Sequence, residues 1–387
     1  MTPATLTPGL EGVVAAETRL SRVDGQAGEL IIAGFPVEEL AAHATFEETV
    51  YLLWNDRLPS PDELARFRQT LAQRRALPPA VLDLLAAAAE AQLPAMDALR
   101  MAAGALSLDL PSDGSRGDSQ EQALEEAMTA VARFPTIVAS YARLRQGLAP
   151  VPPDPALSHS ANYLAMLQGK PPHPAQVRGL ETYLNTVVDH GLNASTFTAR
   201  VIVSTGSDIL SAVTGAIGAL KGPLHGGAPG PALDMVFQIG QAERAEPFLR
   251  AKLEAGERLM GFGHRVYKVR DPRAEVLAEA AARMFQESGD MALYRLARHV
   301  EQTAVRLLAE YKPGRNLQTN VEFYTALLLH GLGLEPDLFT PTFAVGRVAG
   351  WTAHCLEQQR QNRIIRPRAV YVGATGRRWE PGERLAG

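Results

Sequence analysis

Four side chains able to move a proton stand in unusual company in this sequence. They are His190 in VVDHGLNASTFTARV, His225 in GPLHGGAPG, His264 in GFGHRVYKVRDPRA and Glu322 in LQTNVEFYTALLLHGLG. The small residues around His225 clear the space a ligand needs, although a histidine caught in a surface turn reads the same way. His264 follows Gly261-Phe262-Gly263, whose backbone donors can approach a ligand, and precedes Arg265, Lys268, Arg270 and Arg273. That run is either a solvated basic face or an anion site for phosphates or carboxylates. It is not a dinucleotide fingerprint, because no strand precedes it and no third glycine follows. Asp189 beside His190 is a common pairing that specifies nothing by itself.

Glu322 has two readings. Thr319-Asn320-Val321-Glu322 fits a capping box, in which the glutamate folds back onto its own helix end. A carboxylate on an apolar helix face is also the setting in which a pKa is tuned for proton abstraction. Spacing alone favours the cap. Arg347 lies among Phe343, Ala344, Val345, Val348 and Trp351, so a helix there buries the guanidinium. A buried arginine needs a protein carboxylate or an anionic ligand. Arg363, Arg366 and Arg368 alternate with Ile364, Ile365 and Pro367, a pattern of packing as much as of a basic tail. There is no HExxH, no CxxC and no spaced acidic loop, so metal chemistry is not expected. The inventory suits removal of a proton next to a carbonyl in an anionic substrate.

The elements that must hold these groups are helical. Stretches such as TFEETVYLLWND, PDELARFRQTLAQRR and QEQALEEAMTAVARFPTIVASYARLRQ have helical spacing, with Pro, Gly, Asp or Ser between them. A hairpin is expected in SRVDGQAGELIIAG, turning at Asp24-Gly25. Strand does not alternate with helix, so a doubly wound sheet is a poor fit. The 387 residues suffice for one large domain or two ordinary ones, and 46% hydrophobic with 21% charged is globular usage. A net charge of −4 argues against a nucleic-acid or acidic-membrane binder. The single cysteine, Cys355, permits no internal disulfide and reads as a buried thiol. With no signal-peptide pattern and no apolar run long enough to span a bilayer, a cytoplasmic protein is expected.

Taken together, these stretches resemble the citrate synthase family in the expected order over nearly the whole chain. The motifs include GPLHGGAPGPAL, GFGHRVYKVRDPRA, NVEFYTALLLHGLG, FTPTFAVGRVAGWTAHCLEQ and NRIIRPRAVYVG. The resemblance implies an all-α homodimer with a large domain (1–221 and 333–387) and a small one (222–332). Its active site would lie in the cleft between them. It implies condensation of acetyl-CoA with oxaloacetate and water to citrate and coenzyme A, or of propionyl-CoA to 2-methylcitrate. A non-catalytic binder of coenzyme A or keto-acid is the alternative from another class. No cofactor would be tightly bound; coenzyme A is carried on the cosubstrate.

By the same resemblance, His225 would hydrogen-bond the thioester oxygen and Glu322 would be the base. His264 would polarise and protonate the keto carbonyl. His190, Arg273, Arg347 and Arg366 would grip the keto-acid, with Arg366 from the partner subunit and Phe343 packing beside the acid. Gly261, Phe262 and Gly263 would receive the adenine, and Arg265, Lys268 and Arg315 the phosphates. Asn320 would join the coenzyme site. The sequence departs from the family at Glu322, where aspartate is usual, at Gln318-Thr319 for Tyr-Pro, and at Gly191 for glutamate. LIIAGF replaces the usual LIYRGY at a place far along the chain from the chemistry.

Overall fold

The computed structural model describes residues 6–109, 120–226, 230–263, 266, 267, 269–288 and 291–378. The expected hairpin forms. β1 (Ser21–Asp24) pairs antiparallel with β2 (Glu29–Ile32), and Asp24 closes the turn by accepting the amides of Gln26 and Ala27 at 2.9 Å. A short third strand, β3 (Phe35–Pro36), joins β2 on its other side and was not expected from the sequence.

The remaining elements are helices, as the spacing required. The first group is α1 (Val37–His43), α2 (Phe46–Asn55), α3 (Pro61–Gln73), α4 (Pro79–Glu90), α5 (Ala95–Ala105), α6 (Gln120–Arg145), α7 (His159–Gln168) and α8 (Pro174–Val187). The second is α9 (Ala194–Ser204), α10 (Ile209–Leu220), α11 (Gly230–Ile239), α12 (Ala245–Glu254), α13 (Pro272–Ser288), α14 (Ala292–Tyr311), α15 (Val321–Gly331) and α16 (Phe339–Arg360). Short polar side chains start many of them: Thr45 and Ser60 form capping boxes with Glu48 and Glu63, while Asn193, Asp208 and Asn320 cap α9, α10 and α15.

The core runs through the whole body and centres on α16, which is buried on nearly all sides and packs on α6, α8 and α9. Its fully covered Trp351 and Phe339 are among the largest core side chains. α13 lies between α8 and α15, and α15 also meets α11. These elements position the candidate residues: α9 and α16 present Ser195 and Arg347, the loop after α10 presents His225, and the start of α15 presents Glu322.

Candidate active site

His225 is half-buried in the loop after α10. The backbone N–H of Ser195 donates to its Nε2 at 3.3 Å. An amide nitrogen can only donate, so Nε2 is an acceptor and the ring proton sits on Nδ1. Ser195 Oγ lies 2.8 Å from the same Nε2 and is held by Trp351 Nε1–H at 3.0 Å, with Asn193 Oδ1 2.8 Å away. Burial, reinforced by Arg347, pushes the imidazole pKa down to about 4. The result is a neutral histidine whose Nδ1–H has no partner among the described residues. Sequence reading missed Ser195. Its signal was the helix start Asn-Ala-Ser, where Asn193 takes the cap by accepting Thr196 N–H at 3.1 Å and Ser195 is left to turn inward.

Arg347 is buried as its helix required, and its Nε donates to the Val187 carbonyl at 2.6 Å. Phe343, one turn earlier, lies under the guanidinium, with the ring centroid 4.5 Å from its central carbon. No carboxylate among the described residues forms an ion pair with Arg347. Burial drives its pKa down to about 10, with Asp189 opposing the shift and Arg273 assisting it. Of the two partners the sequence left open, an anionic ligand is the one that fits. His190 Nε2 lies 3.1 Å from the hydroxyl of buried Tyr267, and Gly191 follows it with φ +61°. A side chain at 191 would be strained there, which accounts for glycine where the family pattern has glutamate. Arg273 is buried at the start of α13 and gripped by Asp271, with Nε–Oδ1 3.0 Å and Nη2–Oδ2 2.7 Å. Burial opposes the charge on Arg273 and Asp271 outweighs it.

The capping-box reading of Glu322 is corrected. Asn320, not Thr319, is the N-cap of α15, and its Oδ1 accepts the Glu322 amide at 3.0 Å. Thr319 Oγ1 is turned away to Glu301 Oε1 at 2.8 Å. Glu322 therefore sits one position too early to reach back to the cap. No hydrogen bond to its carboxylate occurs among the described residues. Burial raises its pKa, Arg273 resists the rise and Asp271 adds to it.

Gly261-Phe262-Gly263 is strapped to the segment that leads into α15. Gly263 N–H donates to Gln318 O at 2.7 Å, Asn320 N–H to Gly261 O at 3.0 Å, and Asn320 Nδ2 to Gly263 O at 2.9 Å. Asn320 therefore ties the start of α15 to the loop. Gly261 has φ +86°, and a Cβ there would stand 2.9 Å from the Phe323 ring.

His225, Arg347, Arg273 and Glu322 are near enough to perturb one another in sequence, each pair through its charge. His190 and Phe343 join them through Tyr267 and Arg347. His264, Arg265 and Lys268 lie outside the described residues. Arg366 and Arg315 are exposed and do not enter this group within the single chain. Cys355 is buried, as expected of a packed thiol. LIIAGF is distant from the chemistry along the chain but not in space: Ser21, paired with Ile32, bonds to Gly191 N–H at 2.9 Å. A separate cleft of about 790 Å³ between Phe237 and His299 contains none of these groups. No helix among the described residues is long and apolar enough to cross a membrane.

A neutral N–H donor, a half-buried carboxylate of raised pKa and two buried guanidinium groups can enolise an acyl group beside a bound dianion. Comparison with known proteins identifies the family. Residues 9–368 match the family model described as citrate synthase, C-terminal domain. The chain is 42% identical to citrate synthase 2 of Bacillus subtilis over 99% of this chain and 100% of that one. It is 40% identical to the 2-methylcitrate synthase of Mycobacterium tuberculosis, covering 94% and 90% of the two chains. The ternary complex of carboxymethyl coenzyme A and oxaloacetate with citrate synthase from Thermoplasma acidophilum superposes with a TM-score of 0.85. That protein is 30% identical, with 97% of this chain and 98% of that chain covered.

Proposed function

The chain belongs to the citrate synthase family, and from that premise we propose how its residues divide the work. It is an acyltransferase that condenses acetyl-CoA with oxaloacetate and water to give citrate and coenzyme A. Glu322 takes a proton from the acetyl methyl group. The His225 Nδ1–H holds the thioester oxygen as it becomes an enolate oxygen; a neutral imidazole donates there without giving up its proton. The enolate carbon attacks the keto carbon of oxaloacetate, and His264 supplies the proton to the new alkoxide. Water then cleaves citryl-CoA.

Arg347, Arg273 and His190 hold the keto-acid's carboxylates over Phe343, and Arg366 of the second subunit completes the grip. Coenzyme A lies along Gly261–Gly263 as a cosubstrate, its phosphates toward Lys268, Arg265 and Arg315. We read residues 222–332 as a small domain that closes on the rest, in a cytoplasmic homodimer. The packing of α11 on α14 and α15, and of α12 on α14, supports that unit, and closure would move the α13–α8 contact. Closure would exclude water until both substrates are present.

The observation that carries this reading is the fixed tautomer of His225: the Ser195 amide forces the proton to Nδ1, on a ring that feels the charge of Arg347. The relative from Mycobacterium tuberculosis favours one second reading, propionyl-CoA as the acyl donor. Comparing kcat/KM for the two thioesters decides between them. A higher value for acetyl-CoA is expected, and a propionyl preference would reassign the enzyme to 2-methylcitrate.

A further inference from the structure

Ser21, on β1, is bonded to both neighbours of His190. The Gly191 N–H donates to Ser21 Oγ at 2.9 Å, and the Ser21 hydroxyl donates to Asp189 Oδ2. Asp189 is fully buried. Its carboxylate also faces His354 Nε2, at 3.2 Å from each oxygen. Arg200 Nη1 lies 3.0 Å from His354 Nδ1, and a guanidinium has only hydrogens to give. His354 Nδ1 is therefore an acceptor, and its Nε2–H points at Asp189. Arg200 is itself held by Glu357 at 2.7 Å and Gln358 at 3.1 Å. Each hydrogen in this network has one direction: Gly191 to Ser21 to Asp189, and Arg200 to His354 to Asp189.

The peptide on either side of His190 is thus tied to a buried frame, and its ring alone is left to the site beside Tyr267. The same hairpin braces Tyr267. A Cβ on Gly25 would fall 2.3 Å from the carbonyl oxygen of Val266, and one on Gly28 would fall 2.5 Å from Val269 Cγ2. The hairpin turn therefore presses on the segment that carries the hydroxyl partner of His190.

We propose that Ser21 is a positioning residue for keto-acid binding: its hydroxyl, lodged between Asp189 and Gly191, sets the His190 ring. This rests on the role of His190 given above. Ser21→Ala would leave the Gly191 amide without its acceptor and Asp189 Oδ2 with His354 alone, and the loss of such bonds shifts equilibria by about tenfold. The test compares wild type, Ser21→Ala, Ser21→Thr and His190→Gln in oxaloacetate KM, kcat and melting temperature. Ser21→Ala is expected to raise the oxaloacetate KM about tenfold with kcat within about twofold of wild type. Ser21→Thr, which keeps the hydroxyl, should restore KM to within about twofold.

A role in stability alone would lower the melting temperature without this KM-against-kcat split. Should Ser21→Ala fold poorly, Ser21→Cys keeps the volume and is expected to show the same rise. The proposal is overturned if His190→Gln raises KM while Ser21→Ala leaves it unchanged, or if Ser21→Thr is as impaired as Ser21→Ala. If His190→Gln itself leaves KM unchanged, the assignment of His190 falls, and the proposal with it.

Discussion

On the proposed assignment, the protonation states of Glu322 and His225 decide the chemistry. The Glu322 carboxyl is raised by burial, and a base works only when ionised, so the acid limb of kcat must lie above the ordinary glutamate value of 4.5. A limb at or below that value would mean that another group removes the proton. His225 is lowered to about 4, so it stays neutral across the working range. Its ring resonances should not titrate between about pH 5 and 8. Glu322→Asp withdraws the carboxylate by roughly 1 Å, a displacement able to cost about 10²-fold. Because Asn320 and the loop fix the helix start, we expect this variant to keep measurable turnover at a reduced kcat. None of these states was legible from spacing. Thr319-x-x-Glu322 matched a capping box, and only the turn of Thr319 toward Glu301 shows why it does not form.

Among the elements, the tie between the Gly261–Gly263 loop and the start of α15 would, on the proposed assignment, couple coenzyme binding to the base. Gly261→Ala would put a Cβ against Phe323 and demand φ +86° of a side-chain-bearing residue, at a cost of about 1–2 kcal/mol. The loop should yield first, so the acyl-CoA KM rises severalfold while oxaloacetate affinity holds; unchanged kinetics would detach this loop from the coenzyme. Helix existence was legible because α2, α3 and α6 show plain periodicity and the first two carry capping boxes. The Asp24-Gly25 turn also declared the hairpin. What the hairpin touches was not legible. The bond from Ser21 to Gly191 spans 170 residues, and no local pattern encodes such a pairing. Ser195 was hidden for the same reason: its partner His225 is 30 residues away.

For the whole molecule, Arg366 is exposed in a segment that extends from α16, anchored by Asn362 to Ser204 O and by the Ile365 amide to Ser204 Oγ. Ile364, Val370, Tyr371 and Val372 are exposed on the same segment, an apolar surface fit to lie on a second subunit. If Arg366 serves the neighbouring site, coexpressed Arg366→Ala and His225→Ala chains recover activity, because each mixed dimer holds one intact site. Random pairing gives about one quarter of wild-type activity, and no recovery would place Arg366 in its own chain's site. The central claim, that a half-buried glutamate enolises the acyl group while His225 holds its oxygen, is tested most directly by Glu322→Gln. Its turnover is measured by coenzyme A release, alongside oxaloacetate binding by calorimetry. The expected result is a loss of kcat of at least about 10³-fold with oxaloacetate affinity nearly intact; retained kcat with only a lower melting temperature would contradict it.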